Sequence, residues 1–96
     1  MEKAARRGDR CTGHDACPPR PAQRGSADVT VNDRAALRVT DPFVPHGCNA
    51  HPPHPGKVAK GSATVTFNDK PAARTGDAID CGGSIQSGSA DVYIGG

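Results

Sequence analysis

Four histidines and four cysteines stand in a chain of only 96 residues. They are His14, His46, His51 and His54, with Cys11, Cys17, Cys48 and Cys81. Imidazole nitrogen and thiolate sulfur are zinc ligands, and a structural zinc takes four of them in a tetrahedron at about 2.0–2.3 Å. Three of the histidines fall within nine residues, in "HGCNAHPPH" at 46–54. A lone His in a Pro-rich loop is usually just solvated, but four in one small domain point to a metal. Cys11 and Cys17 lack the second Cys pair of a zinc ribbon, and their spacing leaves a disulfide undecided. Together with Cys48 they read as small buried thiols.

The chain offers little other chemistry. No Ser-His-Asp order, phosphate loop or paired carboxylate stands out, so no enzyme is expected. A catalytic zinc would also keep one coordination position open for water. The net charge of +2 is too mild to predict nucleic-acid binding, which shows a concentrated basic patch. The basic run "KAARRGDR" is diluted by Asp9 and Glu2 and reads as a solvated face.

Something must hold the candidate ligands in place, and a repeat does so. "GSADVTVNDRAALRVTD" at 25–41 matches "GSATVTFNDKPAARTGD" at 61–77. "GSADVYIGG" at 88–96 is the first half of that phrase again, and "AARRGD" at 4–9 is the second half. The chain opens with the end of a unit and closes with the start of one, so joining its ends completes three units. Each unit reads as a hairpin. Val29 and Val31 alternate with polar neighbours, as do Val65 with Phe67 and Val92 with Ile94, and period-two alternation argues for strands. Asn-Asp before a basic residue is turn chemistry. Gly76 and Asp77, like Gly8 and Asp9, mark a second turn, and Arg38 and Arg74 are expected to lock such turns through Asp41 and Asp77. With nine Pro and twelve Gly, long helices are not expected.

Large apolar residues are scarce: seven Val, three Ile, one Leu and two Phe. They make up a smaller share than the roughly 20% below which cores are weak. Such a domain needs a metal, disulfides or a partner to supplement its core. Three hairpins in so short a chain suggest pseudo-threefold packing in one domain, residues 1–96, with the termini brought together. Nearly all the His and Cys lie between the strand phrases. Loop 9–24 carries Cys11, His14 and Cys17; loop 41–60 carries His46, Cys48, His51 and His54; loop 77–87 carries Cys81 alone. If all three loops converge, Cys81 is the third loop's conventional ligand. No signal peptide or membrane helix is visible, so residence is expected to be cytoplasmic at first.

"PAARTGD" at 71–77, preceded by "GSATVTFND", resembles the PAAR-repeat family, and the likeness extends over nearly the whole chain. One copy departs: Ala35 replaces Pro, and Thr40 replaces Gly, so its turn is expected to differ while its hairpin survives. Members of that family sharpen the spike of contractile injection machines, in type VI secretion and in phage tails. The resemblance implies an all-β fold: a small cone of short, pseudo-threefold β-hairpins with a metal near its apex held by three His and one Cys. The family's H-x-G phrase fits His54. His14 fits the first loop and His46 the start of the second. The implied set is His14, His46, His54 and Cys81, with His51 able to replace either neighbour. Zinc is the expected metal, with iron the other candidate. The implied partner is a trimeric VgrG-like spike capped by one copy, followed by effectors and a target membrane on firing. Neither nucleic acid nor a stable homo-oligomer is expected. Val31, Phe67 and Ile94 belong either to the contact with the spike or to the chain's own core. The alternative reading is a free-standing zinc-binding adaptor for nucleic acid.

Overall fold

A computed structural model describes residues 2–12, 20–44, 46–48, 51–54, 56–80 and 83–95, with the backbone only in 46–48 and 51–54. The described residues are all β, in short hairpins without helix. The strands are β1 (Glu2–Lys3), β2 (Thr30–Val31), β3 (Arg34–Ala35), β4 (His46–Cys48), β5 (His51–His54), β6 (Thr66–Phe67), β7 (Lys70–Pro71) and β8 (Tyr93–Ile94). They pair antiparallel as β1 with β8, β2 with β3, β4 with β5 and β6 with β7.

Two of these pairs are tight hairpins, and the sequence explains why. Val31 lies opposite Arg34, and Phe67 opposite Lys70, leaving two residues for each turn. A two-residue turn that follows the right-handed strand twist needs positive φ at both positions. Asn32 and Asp33 take φ 54° and 66°, and Asn68 and Asp69 take 55° and 64°. Asn and Asp enter this left-handed region at low cost because their short side chains bond locally. The third pair has no turn. Glu2 lies opposite Ile94 and Lys3 opposite Tyr93, so the chain's two ends meet where the other units make a hairpin.

The strands are shorter than the alternating patterns suggested, because each chain soon leaves its hairpin partner for the neighbouring unit. The N–H of Ala5 donates to the Ala73 carbonyl (3.1 Å), that of Ala73 to Leu37 (3.0 Å), and that of Leu37 to Ala5 (3.0 Å). These three bonds form a closed ring, so every unit holds the next. Ser26, Ser62 and Ser89 close a second ring. Each hydroxyl is buried and accepts a backbone N–H three residues on, at 2.9 Å, from Val29, Val65 and Val92 respectively. Each also donates to the turn of a different unit: Ser26 to Asn68 Oδ1, Ser62 to the Gly95 carbonyl and Ser89 to Asn32 Oδ1. Gly95 has no side-chain amide, and its backbone carbonyl serves in place of one. The glycine before each serine is required by space. A β-carbon on Gly25, Gly61 or Gly88 would lie 2.5, 2.7 or 2.8 Å from the carbonyl oxygen of Ala36, Ala72 or Ala4.

The core is stacked in triads. Ala5, Leu37 and Ala73 form one layer, and Cys11, Phe43 and Ile79 the next, bridged to Ile85, Ala22 and Val58. A second cluster holds Ala4, Ala36 and Ala72 with Val31 and Ile94, and Val29, Val65 and Phe67 pack against it. Small residues repeat on the axis because three segments of the chain meet there. Val92 was expected to share the buried face of Ile94, yet it is 37% exposed. The neighbouring β1 presents the exposed Lys3 where the other hairpins have the half-buried Ala35 and Pro71.

The Arg-Asp pairs lock turns as expected, and three stand among the described residues. Arg6–Asp9, Arg38–Asp41 and Arg74–Asp77 are forked pairs with N–O distances of 3.0, 2.9 and 2.9 Å and buried aspartates. Each carboxylate also accepts the backbone N–H of its own arginine. The side-chain hydrogen bond to aspartate raises each guanidinium further above its already high value. On the polar surface, hydrogen bonds from Asn32 and then Ser89 hold the Asp91 carboxyl below the usual carboxylate range.

The divergent turn at Thr40 does not differ in shape. Gly8 and Gly76 take φ 91° and 87°, and Thr40 takes 82° at the corresponding position. A β-branched residue is an outlier there, at a cost of about 1–2 kcal/mol. Glycine's extra backbone entropy returns about 0.5–1 kcal/mol of that, and an exposed bond from Lys70 Nζ to Thr40 Oγ1 (3.1 Å) would be lost. Thr40→Gly is therefore expected to raise the melting temperature by about 2–4 °C, since 1 kcal/mol moves a domain of this size by about 4–8 °C. A melt at or below that of the parent chain would show that no strain is stored at Thr40.

Candidate metal centre and docking face

The loops that carry the predicted ligands spring from one ring of backbone hydrogen bonds. Three bonds close the loops at their roots: Cys11 N–H to Arg20 (3.0 Å), Phe43 N–H to Gly56 (2.7 Å) and Ile79 N–H to Gly83 (2.8 Å). Three more tie the roots together: Thr12 N–H to Ser84, Val44 N–H to Pro21 and Asp80 N–H to Lys57, each at 2.9 Å. Side chains reinforce this ring. Thr12 Oγ1 accepts from Ser84 N–H at 3.1 Å, and Asp80 Oδ1 from Lys57 N–H at 3.0 Å. Below the ring lies the triad of Cys11, Phe43 and Ile79, and three loops therefore leave the body at a single end.

Within the second loop, β4 and β5 set His46 opposite His54 and Cys48 opposite His51, with a register shift between the two pairs. Two of the predicted ligands are thus cross-strand partners along the backbone. The other two, His14 and Cys81, lie outside the described residues, as does Cys17. Among the described residues, no group of three or more His, Cys, Asp or Glu lies together to hold a metal. Cys11 is a buried free thiol in the core slot that Phe43 and Ile79 fill in the other units. Its sulfur accepts the Arg20 N–H at 3.3 Å.

The hairpins occupy the other end of the same ladder. Val31 and Ile94 are buried in the chain's own core, Phe67 is half-buried, and Val92 and Tyr93 are exposed at 37% and 48%. Of the three residues considered for an external contact, Phe67 therefore keeps the most surface to offer.

The body between these ends is three units tied into closed rings by one chain, with "PAARTGD" forming the forked turn of its second unit. The sequence profile of the PAAR motif matches residues 48–96, just over half of the chain. The chain belongs to the PAAR-motif family. The match begins at Cys48 and takes in the second unit and the strand half of the third. The first unit lies outside it, yet residues 25–41 make the same turn, serine and Arg-Asp bonds as residues 61–77. The PAAR pattern thus holds structurally beyond the matched segment. Among curated proteins no match was found.

Two features of this PAAR-motif body were not read from the sequence. The serine ring was missed because a buried hydroxyl carries no period of its own; the invariant "GS" ahead of each strand phrase was the available sign. The ring of loop roots was missed because its bonds are backbone to backbone and leave no trace in residue type.

Proposed function

We propose that this chain is the non-catalytic tip of a contractile injection spike, a small cone that caps a trimeric β-helical VgrG-like protein and sharpens it for piercing a membrane. Family membership supports this reading, and one observation carries it: a single chain closes three like units into cyclic hydrogen-bond rings. A trimeric β-helix ends in three identical strand edges, and unpaired β edges are templates for further pairing. A monomer with three similar hairpins at one end can meet all three at once. One copy then serves one trimer, which leaves the chain without need of self-association. In this reading the chain waits in the cytoplasm and leaves at the head of the spike, with any effector it carries.

The opposite end is the apex, and the metal belongs there. The described backbone fits a bound zinc in two respects: the roots of the three loops are tied into one ring, and His46 stands opposite His54. His14, His46, His54 and Cys81 would hold the ion, three nitrogens and one sulfur, a donor set suited to zinc and also open to iron. When bound, it would cross-link the loops at a point too narrow for an apolar core. Cys81→Ser should lose the zinc that copurifies with the parent chain, while Cys17→Ser keeps it, as measured by atomic emission on the purified proteins. Equal zinc in the two variants would remove Cys81 from the set.

The capping reading is tested by mixing the chain with its cognate trimeric spike and weighing the complex by light scattering. One copy per trimer is expected. Three copies per trimer, or no complex with the spike but tight, salt-dependent binding to DNA or RNA, would replace the tip with a nucleic-acid adaptor.

A further inference from the structure

The three sides of the body share one backbone pattern, so their side chains can be compared position by position. The N–H groups of Arg7, Val39 and Thr75 make equivalent bonds to Ala35, Pro71 and Lys3. Gly8 likewise corresponds to Thr40 and Gly76, and Arg34 to Lys70 and Glu2. On the first side, Arg7, Arg34 and Gln23 rim a groove of about 440 Å³ floored by Pro21, Ala22 and Val44. Gly8 keeps that rim open, and a β-carbon there would lie 3.8 Å from Arg34 Nη1.

Arg7 and Arg34 are both exposed. Neither guanidinium has a hydrogen-bond or ion-pair partner among the described residues. The other two sides lack this combination. On the second, Thr40 puts a side chain where Gly8 has none and engages Lys70 Nζ at 3.1 Å. On the third, Glu2 occupies the place of Arg34. The arginines that the fold itself uses, Arg6, Arg38 and Arg74, occur on all three sides and are paired on all three. Arg7 and Arg34 occur once and have no partner among the described residues, so the threefold body does not require them.

We propose that this groove binds an acidic peptide segment of a partner protein, and that each chain offers one such site. A guanidinium is a planar fork that takes a carboxylate through two parallel hydrogen bonds. Two forks above an apolar floor suit an extended peptide that carries carboxylates and lays its aliphatic parts on Pro21 and Val44. Single-stranded nucleic acid is held instead by a basic track with aromatic platforms for the bases. No aromatic residue lines this groove, and the whole chain carries a net charge of only +2. The site lies along one side of the body, from Arg34 of β3 to Pro21 and Val44 at the loop roots.

The test is an amide NMR titration of the full-length chain with a short peptide of alternating Glu and Ala. Saturable shifts are expected at Arg7, Gly8, Gln23 and Arg34 and not at Thr40 or Gly76, weakening as salt screens the charges. R7Q/R34Q should keep the parent melt and bind at least about tenfold more weakly, as expected when charged rim contacts steer and hold a ligand. G8T gives an independent check, because it copies the second side and places a side chain in the groove. Equal shifts on all three sides, unchanged affinity in both variants, or tighter binding of oligothymidylate than of the peptide would each overturn the proposal.

Discussion

Removing residues 88–96 should leave a chain with no cooperative melt. The segment is short, but it supplies Ser89 and Gly95 to the serine ring. With it go β8 and its pairing with β1, the buried Ile94 and the buried Ser89. The bonds from Ala4 N–H to Val92 and from Ser89 N–H to Ala4, at 2.9 and 2.8 Å, go as well. Burying one large apolar side chain contributes about 1.5–3 kcal/mol, and each backbone bond a net of about 0.5–1.5 kcal/mol. Orphaned buried groups add about 1–3 kcal/mol each. Those losses together rival the ~5–15 kcal/mol by which a small domain is stable. Circular dichroism with temperature measures the outcome. A sigmoidal transition near that of the full chain would mean that the remaining two units stand alone and that closure is dispensable.

Phe43→Ala should be the most damaging single truncation. Phe43 is one of the largest fully buried side chains and fills the triad directly beneath the ring of loop roots, level with Cys11 and Ile79. Phe→Ala in a core costs about 3–5 kcal/mol, part of it for the cavity left behind. The facing residues are anchored by backbone bonds on both sides and have little freedom to collapse inward. At about 4–8 °C per kcal/mol, the melting temperature should fall by roughly 12 °C or more, or the transition should be lost. Phe67→Ala is the control: this ring is half-buried at the hairpin end and should cost less than half as much. Equal losses at the two sites would contradict the placement of the main core beneath the loops.

Much of this architecture was legible in the sequence, and for identifiable reasons. The hairpins were readable because "ND" states its turn requirement in side-chain chemistry, and both copies take positive φ. The meeting of the termini was readable because half-units at 4–9 and 88–96 sum to a whole. The Arg-Asp locks were readable from a fixed spacing of three. Strand length was not, because alternation continues past the point where a chain changes partners. Thr40 signalled a different turn, yet its two sister turns and the bonds around it hold it in the glycine conformation. In the candidate site, the sequence pointed to the loops, and the structure adds the ring of their roots and the His46–His54 register. His14 rests on the resemblance, and Cys81 on the resemblance and on being the third loop's conventional ligand.

The cyclic hydrogen bonds also govern when the protein can fold. Ala5, Leu37 and Ala73 complete their ring only after the second unit exists, and β1 has no partner until residues 93 and 94 have been made. A chain emerging from the ribosome usually settles its N-terminal parts first. Here the first strand must stay unpaired until Tyr93 and Ile94 have been added. Closure across so long a span is entropically costly before it is rewarded, so the final step should come late and all at once. The sparing use of large apolar residues suits that delay. An exposed nascent segment built from Ala, Gly, Arg and Asp has little that would draw it into aggregates while it waits.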